Sequence, residues 1–358
     1  MSRWSALRVL TIGVAAVLGV IFIAGPPAPS PAQTPPPIVL KMGHWVGPKA
    51  VFAKAIDWYL AEAERRTEGR LRFERYWAGS LAPGPELLDA LESGIADVAA
   101  VFPAYFPGKT PLHNYGQLPC IGDDVWVRNM AARDLHNTVP ELQKELDKFN
   151  TMILFYASTS SYGILSSTPV RSLEDFKGKR LRVAGEQAKL VGALGAVPVG
   201  IQAPEIYTAV ERRTIDGTLF SPSGVTAYGL QDVAKYYSTW DVSGPMVYLG
   251  INKTVWNRLP RDIQQILMDV QLKGMESYHR LYQIEGDGES LELMRRAKVE
   301  IYKVSREHRA RTQAICHEQL LRPWAERMES RGLPGRRVLE VFQERVAAYE
   351  RQNPFASR

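Results

Sequence analysis

The sequence predicts an α/β protein of two lobes with a cleft between them. Three observations carry this. Hydrophobic patterning runs β-α-β-α-β from Ile38 to Val101, the same grammar restarts at Thr151, and from Leu259 onward the pattern is helical. Alternating strands and helices build mostly parallel sheets covered by helices. Two such units in 358 residues fit about two domains, and clefts between domains are favoured places for small-molecule sites.

In the first unit, Ile38–Met42 (IVLKM) is a short apolar strand. Val51–Arg66 places Phe52, Ile56, Leu60 and Ala63 on one helical face, and Gly69 ends the helix. Leu71–Tyr76 alternates as a strand does. Gly84-Pro85-Glu86 opens a helix with Leu87, Leu88 and Leu91 inward, closed by Gly94, and Ala96–Val101 is a buried strand. In the second unit, Thr151–Ala157, Arg180–Val183 and Ile215–Phe220 read as strands, with helices over Gln187–Gly195 and Pro204–Arg213. Pro260 then starts a helix carrying Ile263, Ile266, Leu267 and Val270 that continues to about Lys298, long enough to cross both lobes and open to bending at Gly286 and Gly288. Helices over His308–Arg331 and Arg337–Gln352 complete the chain.

The N-terminus reads as an address. Arg3 and Arg8 precede the uncharged apolar run Val9–Gly25, and Ser30-Pro31-Ala32 offers small residues for cleavage. This is the order of a secretory signal peptide over 1–32, with an uncleaved anchor as the alternative. The mature protein is expected in the periplasm. Net charge is +6, and no Lys/Arg run with interleaved aromatics suggests a nucleic-acid surface. Cys120 and Cys316 are far apart in sequence; a bridge and two buried thiols are both open readings. None of the six histidines has metal-ligand spacing, and there is no nucleophile elbow, P-loop or G-x-G-x-x-G. No cofactor, metal or catalytic residue is expected.

Several blocks, in order, carry a resemblance. They are Thr67–Arg70 (TEGR), Gly79–Leu81, Glu86–Leu88, Leu91–Asp97 (LESGIAD), Leu173–Val183 (LEDFKGKRLRV), Leu194–Val199, Glu205–Val210, Ile215–Gly217 and Asn252–Pro260 (NKTVWNRLP). The chain resembles the extracytoplasmic binding proteins of tripartite ATP-independent periplasmic (TRAP) transporters, the dicarboxylate-binding-protein family. The resemblance implies a two-lobed periplasmic-binding-protein (venus-flytrap) fold with a long helix spanning both lobes. It implies lobe I over 38–159 and 246–287, lobe II over 160–245 and 288–330, and a C-terminal helix and tail over 331–358. It also implies a small carboxylate ligand, membrane permease subunits as partners, and no enzymatic activity. A periplasmic sensory module and an enzyme on the same scaffold are the alternatives.

The family's ligand-clamping arginine maps onto Arg182, while Arg180 stands where the family has lysine. A guanidinium presents a planar fork matched to both oxygens of a carboxylate, each charge-assisted bond being worth about 1.5–3 kcal/mol. Elsewhere the chain departs from dicarboxylate and sugar-acid members. Phe220 replaces an Asn that often follows the Asp-Gly pair, Ser161-Tyr162 replaces a second arginine, Trp45 replaces a polar residue, and Phe102 and Tyr105 follow Asp97. Aromatic faces pack on flat apolar bodies. The expected ligand is therefore a monocarboxylate with an apolar or aromatic body, held by Arg182, Trp45, Phe102, Tyr105, Tyr162 and Phe220, with His44 at the cleft mouth.

Overall fold

Alternation along Ile38–Gly43 (β1) buries Leu40 and Met42 and leaves Val39 and Lys41 outside, as a strand covered on one face requires. The helix Val51–Arg66 lays Phe52, Ile56, Tyr59, Leu60 and Ala63 into the same core. The structure, a computed structural model, describes residues 36–356; the expected signal peptide lies outside them. Along the chain follow β2 (Leu71–Tyr76), β3 (Val98–Val101), β4 (Thr151–Ser158), β5 (Tyr162–Ser166), β6 (Arg180–Arg182), β7 (Val197–Val199), β8 (Gly217–Phe220), β9 (Tyr236–Val242), β10 (Met246–Asn252) and β11 (Glu300–Lys303).

The strands form two sheets, one ordered β2-β1-β3-β10-β4 and the other β11-β9-β5-β8-β6-β7. In the first sheet β10 runs against its neighbours β3 and β4; in the second β5 runs against β8 and β9. The other pairings are parallel. Each sheet has its own apolar core. The fold is thus the two-lobed α/β arrangement expected from the sequence.

Two strand connections pass between the sheets side by side. The chain leaves β4 and enters β5 after residues 159–161, and leaves β9 for β10 through residues 243–245. They remain paired across the passage: Tyr162 faces Val242, Ser158 faces Met246, and the Thr159 amide donates to the Pro245 carbonyl at 2.9 Å. A third connection is helical. Arg261–His279 continues through a wide-turn (i→i+5) segment, Arg280–Gly286, into Asp287–Arg296. Tyr278 and Tyr282 on this run sit in the first core, and Met294 sits in the second.

The end of the chain corrects one expected boundary. Cys316 and Leu320 belong to the second core, but Leu321, Trp324, Ala325 and Met328 pack in the first. A second wide-turn segment, His317–Leu321, keeps the helix continuous and carries it across, about ten residues before the expected limit at 330. The helix Gly335–Gln352 then packs Val338, Leu339, Phe342 and Val346 into the first core. Cys120 and Cys316 are joined in a disulfide with their Cα atoms 6.3 Å apart. Two helices not expected from the sequence, Val125–Thr138 and Pro140–Asp147, cover the first sheet beside β4.

Candidate functional site

A cavity of about 730 Å³, counting its open mouth, lies where the two sheets meet at the paired strand crossings. Its walls come from both lobes. Trp45 follows β1, while Phe102 and Tyr105 follow β3; Arg182 ends β6, Tyr162 begins β5 and Phe220 ends β8. Six of the seven residues singled out in the sequence therefore line one cavity. Strand ends place them there, because loops after parallel strands converge at one edge of a sheet.

Arg182 is only 3% exposed. Its Nε donates to the Ile201 carbonyl at 3.0 Å, which fixes the plane of the guanidinium. The charge lies over the Phe220 ring, 5.6 Å from its centroid. Among the described residues no carboxylate stands within salt-bridge distance of it, and neither terminal Nη makes a hydrogen bond. A buried cation without an anion is costly, so this side chain is prepared for an anionic guest. Arg180, two residues earlier, is different. It is exposed and forks onto Asp216, with Nη2–Oδ1 at 2.8 Å and Nε–Oδ2 at 3.2 Å. The Asp-Gly pair thus neutralises one arginine and leaves the other free.

The aromatic residues form two groups. On the first lobe Trp45 stacks on Phe102 with centroids 6.1 Å apart, and Tyr105 meets Phe102 edge-on at 4.8 Å. On the second, Phe220 meets Tyr162 edge-on at 5.7 Å and lies tilted against Tyr228 at 5.8 Å. Gly84 permits the first group: a Cβ there would meet the Tyr105 ring at 2.7 Å. Burial raises the phenols of Tyr105, Tyr162 and Tyr228, the last to about 12, although the positive charge of Arg182 works the other way at all three. They remain neutral and offer O–H donors to an anion.

His44 departs from expectation. It is fully buried and does not line the cavity. Its ring lies behind Trp45, 4.7 Å away, and between Phe52 and Trp77, each at 5.4 Å. Its Nδ1 accepts the Val46 amide at 2.9 Å, fixing the turn that presents Trp45. Burial lowers it to about 3, so it is neutral. The reason is local: the chain turns just after β1, and the bond from the Val46 amide to the His44 ring holds the imidazole inward while Trp45 faces the cavity.

The sequence reading missed several cavity residues, among them Gln187, Ser221, Ser223, Tyr228 and Tyr282. Tyr282 projects from the wide-turn segment of the crossing helix, a local departure frequent at functional sites. Its position halfway along a helix that spans both lobes was the available signal. Among the described residues no group of three His, Cys, Asp or Glu side chains gathers as a metal site.

Two sheets joined by paired crossings over a cavity in which, among the described residues, Arg182 has no acidic partner give the two-lobed architecture of a binding protein. The sequence profile of the bacterial extracellular solute-binding proteins, family 7, matches residues 42–326, and the chain belongs to that family. It is 26% identical over 229 residues to a protein of Nostoc named as a monocarboxylate 2-oxoacid-binding periplasmic protein, an alignment spanning 63% of this chain but only 60% of that one. It is 27% identical over 302 residues to the C4-dicarboxylate-binding periplasmic protein of Rhodobacter capsulatus, covering 82% and 87% of the two chains. Among solved structures, a TRAP solute-binding protein of Rhodoferax ferrireducens in complex with copurified benzoate superimposes with a TM-score of 0.79 at 22% identity, covering 88% of this chain and 99% of that one.

Proposed function

We propose that this protein captures a monocarboxylate with an apolar or aromatic body outside the cytoplasm and delivers it to the permease of a TRAP transporter. One observation carries the reading: Arg182 is a buried cation without an acidic partner among the described residues, set in an aromatic cavity. Family membership and the names of the relatives support a small organic acid as the guest. The Rhodobacter relative's name points to a dicarboxylate, but a dicarboxylate requires a second cationic or strongly donating anchor. Among the described residues Arg182 is the one Lys or Arg that lines the cavity. Contacts from both lobes to one guest favour the closed arrangement, which is how binding is coupled to recognition by a permease. No chemistry is performed on the guest.

The test is calorimetry and thermal shift with benzoate, succinate and sialate. Benzoate is expected to bind and stabilise, the other two far less. Loss of the two fork bonds in R182M is expected to weaken benzoate about a hundredfold or more, and R182K, which keeps charge without the fork, nearly as much. Unchanged benzoate affinity in R182M, or a preference for succinate, overturns the proposal.

A further inference from the structure

One polar side chain of the cavity wall is held in a fixed sense. Gln187 is buried, lines the cavity and opens the helix Gln187–Ala193, which follows Arg182 after a short loop. Its Nε2 donates to the Ser243 carbonyl, on the second strand crossing, at 2.8 Å. A carbonyl oxygen only accepts, so the NH2 group must face it, and turning the amide over would set oxygen against oxygen. The carbonyl is itself held in place. The Ser243 hydroxyl accepts the Ile121 amide at 2.7 Å, and Gly244 lets the two crossings touch, since a Cβ there would meet the Ser160 carbonyl oxygen at 2.1 Å.

With the NH2 group committed, Oε1 is the end left over. It has no hydrogen-bond partner among the described residues, and it is not closed off in the packed interior as the unpartnered oxygens of Gln117 and Gln271 are. Since Gln187 lines the cavity, this oxygen opens onto the space a guest would fill. The other polar side chains of the wall behave differently. Arg182 and the Trp45 indole only donate, and the remainder are Ser, Thr and Tyr hydroxyls. A hydroxyl rotates and can meet a donor or an acceptor, so these groups tell the two apart weakly. That holds even for Thr159, whose Oγ1 donates to the Pro245 carbonyl at 3.2 Å but can swing its proton elsewhere. Gln187 Oε1 can only accept.

We infer that Gln187 is a specificity-determining residue whose fixed oxygen accepts a hydroxyl or N–H group beside the guest's carboxylate, so that the protein selects 2-hydroxy acids and their N–H equivalents over 2-oxo acids. Arg182 takes the acid oxygens and the aromatic residues take the apolar body. The substituent on the carbon between them then falls to Gln187, the polar wall residue next along the chain. A hydroxyl there donates to Oε1 and satisfies it. A keto oxygen presses lone pair against lone pair, and the amide cannot turn to meet it without losing its bond to Ser243. A site built to hydrogen-bond a substrate hydroxyl rejects the analogue that lacks it.

This inference rests on the proposed function, and its test separates the two. Mandelate and phenylglyoxylate share a skeleton and differ at the 2-position, hydroxyl against keto. Phenylacetate carries neither group there, and benzoate tests the receptor reading alone. Dissociation constants are measured by calorimetry on wild type and Q187M, with each mandelate enantiomer taken separately. Wild type is expected to bind the better mandelate enantiomer about tenfold or more tighter than phenylglyoxylate, with phenylacetate between them. Q187M keeps the length of the side chain and removes its acceptor oxygen. It alters the cavity wall, so absolute affinities are expected to shift for every acid. The readout is the mandelate to phenylglyoxylate ratio, expected to come within about threefold, which a general loosening of the wall would not bring about. Equal affinities for these two acids in wild type, or a preference for phenylglyoxylate, overturns the inference without recourse to any variant, and so does a ratio preserved in Q187M. In each of those cases the carboxylate receptor stands if benzoate binds. Failure of all four acids to bind wild type sinks both.

Discussion

At Asp287 burial works against ionisation, and the consequence for stability has a definite sign. The folded protein holds the carboxyl proton up to about pH 6, against an ordinary value of 3.8. Between those values the native state binds a proton that the unfolded chain has lost, so stability falls as pH rises through that window. Above it the carboxylate costs about 3 kcal/mol. D287N keeps the shape and removes the charge. It is expected to be more stable than wild type at about pH 7.5, by up to about 3 kcal/mol, with the gain fading toward pH 4. Urea unfolding midpoints at the two pH values check this; a variant that is no more stable at the higher pH would show that the carboxylate is solvated. His44 and His136 act in the opposite sense, since burial lowers both to about 3 and stability is lost as pH falls from about 6.5 toward that value.

At the scale of elements, the crossing helix shows both what the sequence discloses and what it withholds. Its apolar periodicity through Ile263, Leu267 and Val270 is legible, as is its length. The wide turns over Arg280–Gly286 are not, because no residue type demands an i→i+5 bond; tertiary packing decides it. Gly286 is the readable trace. A Cβ there would meet Val51 Cγ1 at 2.1 Å, so the glycine lets this helix close on Val51–Arg66. G286A is expected to cost about 1–3 kcal/mol through overpacking, and V51A in the same chain to recover at least half of it, read by thermal or urea unfolding. Equal losses in G286A and the double variant would show that the glycine is kept for some other reason. The helices Val125–Thr138 and Pro140–Asp147 were illegible for a related reason. The first buries Arg128 and Asn129 among its apolar residues, so its periodicity is blurred. The site was legible where a residue sits in a recognisable block, as Arg182 does, or where aromatics replace polar side chains. It was illegible at Ser221, Ser223 and Tyr282, whose chemistry arises only when three distant segments meet. His44 was misplaced because the turn after β1, which sends its ring inward and Trp45 outward, leaves no mark in the sequence.

At the scale of the molecule, the disulfide decides how the lobes are held. Cys316 belongs to the second core, and Cys120 packs against that core from a segment whose Leu118 and Ile121 lie in the first, so the bond ties the lobes across 196 residues of chain. Closing so long a loop restrains the unfolded chain by about 5 kcal/mol on the chain-entropy view. The bond also lies beside the second strand crossing, about which the proposed closure would turn. The Ile121 amide, next to Cys120, donates to Ser243 on the second strand crossing at 2.7 Å, and the Ser243 carbonyl accepts from Gln187 of the cavity wall at 2.8 Å. A tether beside a rotation axis limits sliding of the lobes far more than it limits their opening. The C120A/C316A variant is therefore expected to lose about 2–5 kcal/mol of stability while its benzoate affinity changes less than about threefold. Reducing the wild-type protein is expected to produce the same pair of effects, which separates loss of the bond from the cavity left by alanine at the buried Cys316. The contrary pattern, affinity falling tenfold or more with stability little altered, would place the bond's action on the jaws, and closure would then depend on the cross-link and not on the guest's contacts with both lobes.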